Sequence, residues 1–277
     1  MRAVWSLFPK LYRDFSAGQL ADLVQSVGLD TTNVVIRKGY PVDEEFVATD
    51  LSRFMNEATQ AGLTITCAST TFSADVLASD QSPMAPMAGC GIKEFRMGWF
   101  PKATGDVHEA LKAAKADMDR VAEAAQKHRI RAIYQIHHNT LITSPSAAYN
   151  LVRGLPSQWI GVELDPGNQS FQGFEPWDFS VGLLGDYCAW LAVKDTVTWQ
   201  EKTLATDPDK GWRRTFAPIS EGVTNWHRVM EALKVNQFDG TLVFMPFYEE
   251  DNGDARDAKL KAEVAYLRSV VSAVGGF

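Results

Sequence analysis

The stretch GVELDPGNQS, Gly161 to Ser170, runs from an apolar segment straight into a turn that carries an acid, Asp165, and an amide, Asn168. Asp-Pro-Gly is turn chemistry in its own right, so this polar pair either satisfies the turn or faces a ligand. The same arrangement, an apolar run with a polar end, recurs at Lys10, at Arg37, at Arg96, at Gln135 with His137 and His138, at Lys194 with Asp195, and at Tyr248 with Glu249. A set of both charges, rich in hydrogen-bonding groups, suits a hydroxylated ligand. Each member also has a plainer reading. Arg37 and Arg96 are either solvated rim charges or a clamp on hydroxyl, carboxylate or phosphate oxygens. Lys194 and Asp195 are either an ion pair or, for the lysine, a group that binds and polarises a carbonyl. Adjacent His137 and His138 point to opposite faces if a strand continues through them. His108, His128 and His227 fall in helical stretches and carry no chemistry. Trp99, Trp199 and Trp212 lie in expected loops, where an aromatic ring either packs or stacks on the apolar face of a sugar.

Something must present these ends together. Short apolar runs alternate with longer stretches of helical period. RAVWSLF, NVVIRKG, LTITCAS, GIKEFRMG, RAIYQI, WIGVEL, CAWLAV and GTLVFM read as eight strands. Ser16-x-x-Gln19 is a capping box that opens a helix with Leu20, Leu23, Val24 and Val27 on one face. Asp106 caps the clearest helix, in which Val107, Leu111, Ala114, Met118, Val121 and Ala125 follow one another at spacings of four and three. Other helices are expected from about Phe46 to Ala61, over Ser144 to Val152, near Trp177 to Leu184, from about Asn225 to Lys234, and through Leu260 to Val271. Ser73 to Met87 reads as a loop or short helix, and Lys194 to Val223 as a long loop. No Gly/Ser linker or composition break interrupts the 277 residues, so one domain over 1–277 is expected. Eight alternations fit a (β/α)8 TIM barrel of ~250 residues better than a doubly wound sheet, and no G-x-G-x-x-G follows a strand. Such a barrel gathers the C-terminal ends of its strands, and hence the polar groups above, at one mouth.

Hydrophobic residues at 45% and charged residues at 22% are ordinary for a folded globular chain and argue against wholesale disorder. A net charge of -7 gives no electrostatic reason for a nucleic-acid or acidic-membrane partner. Cys67, Cys90 and Cys188 stand far apart with no C-x-x-C pair, which fits a reducing compartment and gives no sign of structural zinc. The apolar run in MRAVWSLFPK is too short for a signal peptide, and no segment reaches the ~20 apolar residues of a membrane span. A cytoplasmic location is therefore expected.

In order and spacing, YQIHHN, VELDPGNQ, WLAVKD, PISEGVTNWHRVMEAL and FDGTLVFMPFYEE resemble the second half of the xylose isomerase-like TIM barrel superfamily of sugar phosphate isomerases and epimerases. There the text reads approximately E-x-H, L-D-P-G-N/H, H-x-K-D, G-x-G-x-x-(D/N)-(W/F) and G-x-x-x-x-E. The first half is similar in its strand-helix rhythm and in a VGLD turn before the second strand. The resemblance implies a small carbohydrate ligand and a divalent ion, Mn or Mg, held by three carboxylates and a histidine. Carried over, those ligands fall on Gln135, Asp165, Ala192 and on or beside Met245, which is a degraded metal site. Asp165 stays a strong ligand and Gln135 offers a carbonyl oxygen, whereas Ala192 and Met245 cannot serve a hard ion. His137 or His138, with Glu249 or Glu250, would have to substitute. The superfamily often forms dimers or tetramers, which leaves a homo-oligomer open.

The expected function is that of a carbohydrate isomerase or epimerase, or a related lyase, acting on a sugar, keto-sugar or polyol derivative. Such reactions begin by removing a proton beside a carbonyl and stabilising the resulting enediolate. Asp165, His137 and Lys194 are the expected catalytic groups, with Asp165 as base. Arg37, Arg96, Gln135, Asn168, Asp195, Tyr248 and Glu249 are the expected substrate contacts. No basic glycine-rich loop marks a phosphate pocket. The rival reading is a non-catalytic or regulatory sugar-binding barrel, and what surrounds Ala192 and Met245 discriminates the two. An abasic-site nuclease shares the fold but needs a multi-metal cluster, which five histidines, three of them helical, and a negative chain do not suit.

Overall fold

Each of the eight apolar runs contributes to a parallel sheet in the computed structural model, which describes residues 3–201, 209–247 and 253–276. The strands are β1 (Val4–Leu7), β2 (Thr31–Thr32), β3 (Val34–Val35), β4 (Cys67–Ser69), β5 (Glu94–Arg96), β6 (Arg131–Gln135), β7 (Ile160–Leu164), β8 (Cys188–Val193), β9 (Asp195–Gln200), β10 (Trp212–Ala217) and β11 (Thr241–Phe244). Nine of them form one sheet in the order β2-β1-β11-β8-β7-β6-β5-β4-β3. β2 and β3 are two halves of one run, parted by Asn33, so both ends of the sheet belong to the same stretch of chain and the barrel closes there. Asn33 bridges the break with its side chain: Ser6 Oγ donates to Asn33 Oδ1 at 2.7 Å, and Asn33 Nδ2 donates to Ser69 Oγ at 3.0 Å.

The helices are α1 (Ala17–Val27), α2 (Val47–Gln60), α3 (Ala74–Leu77), α4 (Met84–Gly89), α5 (Val107–His128), α6 (Pro145–Val152), α7 (Pro166–Gln169), α8 (Trp177–Leu184), α9 (Trp226–Val235) and α10 (Gly253–Ala273). Their ends follow the local chemistry. The Ser16–Gln19 capping box opens α1, and Gly28 closes it at φ 80, a left-handed conformation that costs glycine little. Asp106 accepts from the His108 and Glu109 amides at the start of α5. The buried faces of these helices pack on the outside of the sheet in one apolar cluster. A second, smaller cluster fills the barrel itself: Phe8, Val35, Cys67, Ile133, Ala189, Trp190, Ala192, Val243 and Met245. At the N-terminal end of the strands, Glu94 accepts from Trp190 Nε1 at 2.7 Å and from Arg131 Nη1 at 3.2 Å, which plugs the barrel floor.

One expectation fails. The long loop expected over Lys194 to Val223 is largely an antiparallel hairpin, β9 with β10, in register from Trp212↔Gln200 to Ala217↔Asp195. Thr196, Val197, Thr198 and Trp199 are β-branched or aromatic, the residue types that favour a strand. No helix among the described residues is long and apolar enough to cross a membrane.

Candidate functional site at the barrel mouth

Asp165 ends β7 on the barrel's inner face and at the same time caps α7. Both jobs use its carboxylate. Oδ1 accepts from the Asn168 amide at 2.9 Å, as an N-cap should. Oδ2 accepts from Gln135 Nε2 at 2.6 Å and Asn168 Nδ2 at 2.8 Å, and pairs with Lys194 Nζ at 3.1 Å. Asn168 Nδ2 also donates to the Ile136 carbonyl, which fixes the amide so that its Oδ1 faces Lys194 Nζ at 3.1 Å and His138 Nδ1 at 2.8 Å. Gln135 Oε1 in turn accepts from Trp99 Nε1 at 3.3 Å. The sequence groups Gln135, Asp165, Asn168 and Lys194 thus form one buried network. Gly167 makes room for it: a Cβ there would stand 2.6 Å from Lys194 Cγ and 3.1 Å from its carbonyl oxygen, so only glycine lets the lysine stem lie across α7.

The strand ends at Gln135, so His137 and His138 are not bound to opposite faces. Their rings stack at 4.5 Å, and that of His137 lies 4.4 Å from Trp99. His137 Nδ1 meets the His138 carbonyl at 2.8 Å. A carbonyl can only accept, so Nδ1 carries the proton and Nε2 keeps the lone pair. Burial pushes His137 down to about 4, so its imidazole is neutral at ordinary pH. His138 also joins the network, through Asn168, and stacks on Phe171 at 4.4 Å.

Aromatic rings roof the mouth. Lys194 Nζ lies 5.1 Å from the Phe216 ring and 5.4 Å from that of Phe247. Phe216 comes from the hairpin and also meets Phe171 and Phe247. Trp199 and Trp212, considered as sugar platforms from sequence, sit on the same hairpin but are exposed, whereas Trp99 is at the site. Arg96 ends β5 fully buried, its guanidinium 4.6 Å from the Phe8 ring and 5.7 Å from that of Trp99. Burial lowers the affinity of Arg96 for its proton, and that of Arg37, just beyond β3, to about 10.

Two further acids differ from expectation. Asp195, expected among the substrate contacts, is instead consumed by the fold: it accepts from the Thr196 and Thr224 amides, Thr224 Oγ1 and Trp226 Nε1, and Gly222 packs against it. Glu163, not singled out from sequence, is fully buried two residues before Asp165. Neither of its oxygens has a hydrogen-bond partner among the described residues, and Arg96 Nη1 is 3.8 Å away. Burial raises its carboxyl to about 8. Tyr248, Glu249 and Glu250 lie outside the described residues.

The donor set does not fit the divalent ion that the resemblance implies. Asp165 is fully engaged, Gln135 Oε1 is taken by Trp99, and Ala192 and Met245 lie in the apolar filling of the barrel. Among the described residues no cluster of three or more His, Cys, Asp or Glu is arranged to hold a metal. A lysine ammonium sits against the Asp165 carboxylate instead.

This barrel overlays on many solved structures. A D-psicose 3-epimerase solved in the presence of D-fructose shares 13% identity over 97% of this chain and 99% of its own, with a TM-score of 0.72. An L-ribulose 3-epimerase shares 13% over 99% of this chain and 96% of its own, with a TM-score of 0.71. A xylose isomerase-like TIM barrel protein from Mycobacterium smegmatis, in complex with magnesium, shares 12% over 99% of both chains, with a TM-score of 0.67. No curated protein matches in sequence. At such identities the overlays speak for the fold alone. In sequence, residues 21–270 match the family described as Xylose isomerase-like TIM barrel, and the chain belongs to that family.

Proposed function

We propose that this protein isomerises or epimerises a keto sugar or related polyol derivative, with the Lys194 ammonium as its electrophile. The observation that carries this reading is the buried Lys194–Asp165 pair at 3.1 Å, which puts a fixed positive charge beside the carboxylate that ends β7. An ammonium has three donors. Asp165 and Asn168 take two, and the third is left for a substrate carbonyl oxygen beneath Phe216 and Phe247. The base expected at Asp165 is better supplied by His137, because Asp165 already accepts three hydrogen bonds and an ion pair. His137 Nε2 takes the proton from the carbon next to the carbonyl, the C–H electrons form the enediolate, and Lys194 holds its oxyanion. Return of the proton to the former carbonyl carbon, with the neighbouring hydroxyl proton passing to the oxygen that Lys194 holds, isomerises the sugar, and return to the opposite face of the original carbon, by a second group, epimerises it. Related sugar epimerases of this fold lend the substrate class its support.

A second reading, sugar binding without turnover, is favoured by Ala192 and Met245, both buried among apolar side chains with no charged group in their place among the described residues. Proton NMR in D2O separates the two. Exchange of the C–H beside a keto-sugar carbonyl is expected, and Lys194→Met should slow it by about 10²–10³-fold, the loss seen when one oxyanion donor is removed. Binding with no exchange would favour the second reading. Metal analysis of the purified protein is expected to find no stoichiometric ion; a full equivalent that disappears in Asp165→Ala would overturn the lysine assignment.

A further inference from the structure

Two arginines at the mouth are short of hydrogen-bond acceptors. The Nε atoms of both Arg96 and Arg37 are buried without a partner, and neither side chain makes a hydrogen bond among the described residues. The acid closest to Arg96, Glu163, stays at 3.8 Å, beyond hydrogen-bond reach. Both guanidiniums approach one ring, Phe8, at 4.6 and 5.9 Å, and each lies within the field of the other. Glu44 tempers the charge of Arg37, and Asp165 that of Arg96, so the arrangement is tolerated. What it lacks is an acceptor. Burying like-charged, unpaired donors is unfavourable unless something fills the gap between them.

We infer that the substrate carries a carboxylate, held by Arg96 and Arg37, so that the ligand is a keto sugar acid and not a neutral keto sugar. This rests on the proposed sugar chemistry at Lys194 and adds the class of substrate. The two parts of the site are contiguous, since Arg96 lies over Trp99 and Trp99 donates to Gln135, which donates to Asp165. A planar guanidinium fork matches a carboxylate edge to edge. Phosphate sites in such barrels draw instead on backbone amides at loops and a helix N-terminus. Here the helix at the site, α7, already gives its Asn168 amide to Asp165.

Calorimetric titration of the full chain with D-fructose, 2-keto-D-gluconate, 5-keto-D-gluconate and D-fructose 6-phosphate tests this. At least one keto acid should bind about tenfold or more tightly than fructose, as expected for a charge-assisted bidentate contact. Arg37→Gln, at a half-buried position, should bring that ratio towards one, and Arg96→Lys, which keeps the charge without the fork, should lower it as well. Keto acids binding no better than fructose would overturn the inference while leaving the sugar reading in place. So would tighter binding of the phosphate ester. If none of the four binds, the inference and the sugar reading fall together.

Discussion

Glu163 shows how a single side chain escapes a sequence reading. It is embedded in the apolar run IGVEL, where an isolated acid reads as solvent-facing. Yet residues two apart on a strand share a face, so once Asp165 is placed inside the barrel Glu163 follows. Its carboxyl, ordinarily near 4.5, is raised by burial to about 8. Between those values the unfolded chain has released this proton and the native one still holds it, so stability falls as pH rises from about 4.5 to about 8, by up to about 1.4 kcal/mol per pH unit. Glu163→Gln removes that slope. Urea melts at pH 5 and pH 8 should show the variant gaining on the parent at the higher pH, and a gap independent of pH would refute the assignment. Other single residues were legible: Gln135, Asp165, Asn168 and Lys194 share one network, found from their places at strand ends. Asp195 was not, because the donors that absorb it, from Thr224 and Trp226, are about 30 residues away.

At the scale of elements, α7 is a single turn whose worth lies in what it allows. Its Gly167 is the crossing point for the Lys194 stem. Gly167→Ala forces the lysine aside, and the cost of overpacking a filled space, about 1–3 kcal/mol, should appear as a lower unfolding midpoint together with weaker ligand binding. A variant equally stable but unable to bind would still locate the effect in Lys194; unchanged binding would show that the lysine stem is free to move. Helix termini could be read from sequence because capping is local, as Ser16 and Asp106 show. The hairpin could not. Its strands stand apart in sequence, and only their pairing sets Trp199 opposite Arg213 and Trp212 opposite Gln200, on the two faces of the hairpin, and makes Phe216 part of the roof.

For the whole molecule, the two ends of the barrel divide the labour. The floor, where Glu94 holds Trp190 and Arg131, lies at the opposite strand ends from the ligand groups. Glu94→Ala should therefore lower stability by about 1–3 kcal/mol, the penalty of orphaned donors, without changing the preference among sugars in the titration. A changed preference would mean that the floor and the mouth are coupled. Eight alternating units made the barrel legible in advance, since that count reflects periodicity and length and needs no distant contact. Which strands are neighbours across the closure is a different matter. β1 borders β2, near it in sequence, but its other edge is completed only by residues 241–244. A chain emerging from the ribosome thus carries an unpaired β1 flank until residues 241–244 have been synthesised. Such an open edge invites pairing with another nascent copy, so the arrival of β11 decides whether the protein ends as a closed barrel or an aggregate.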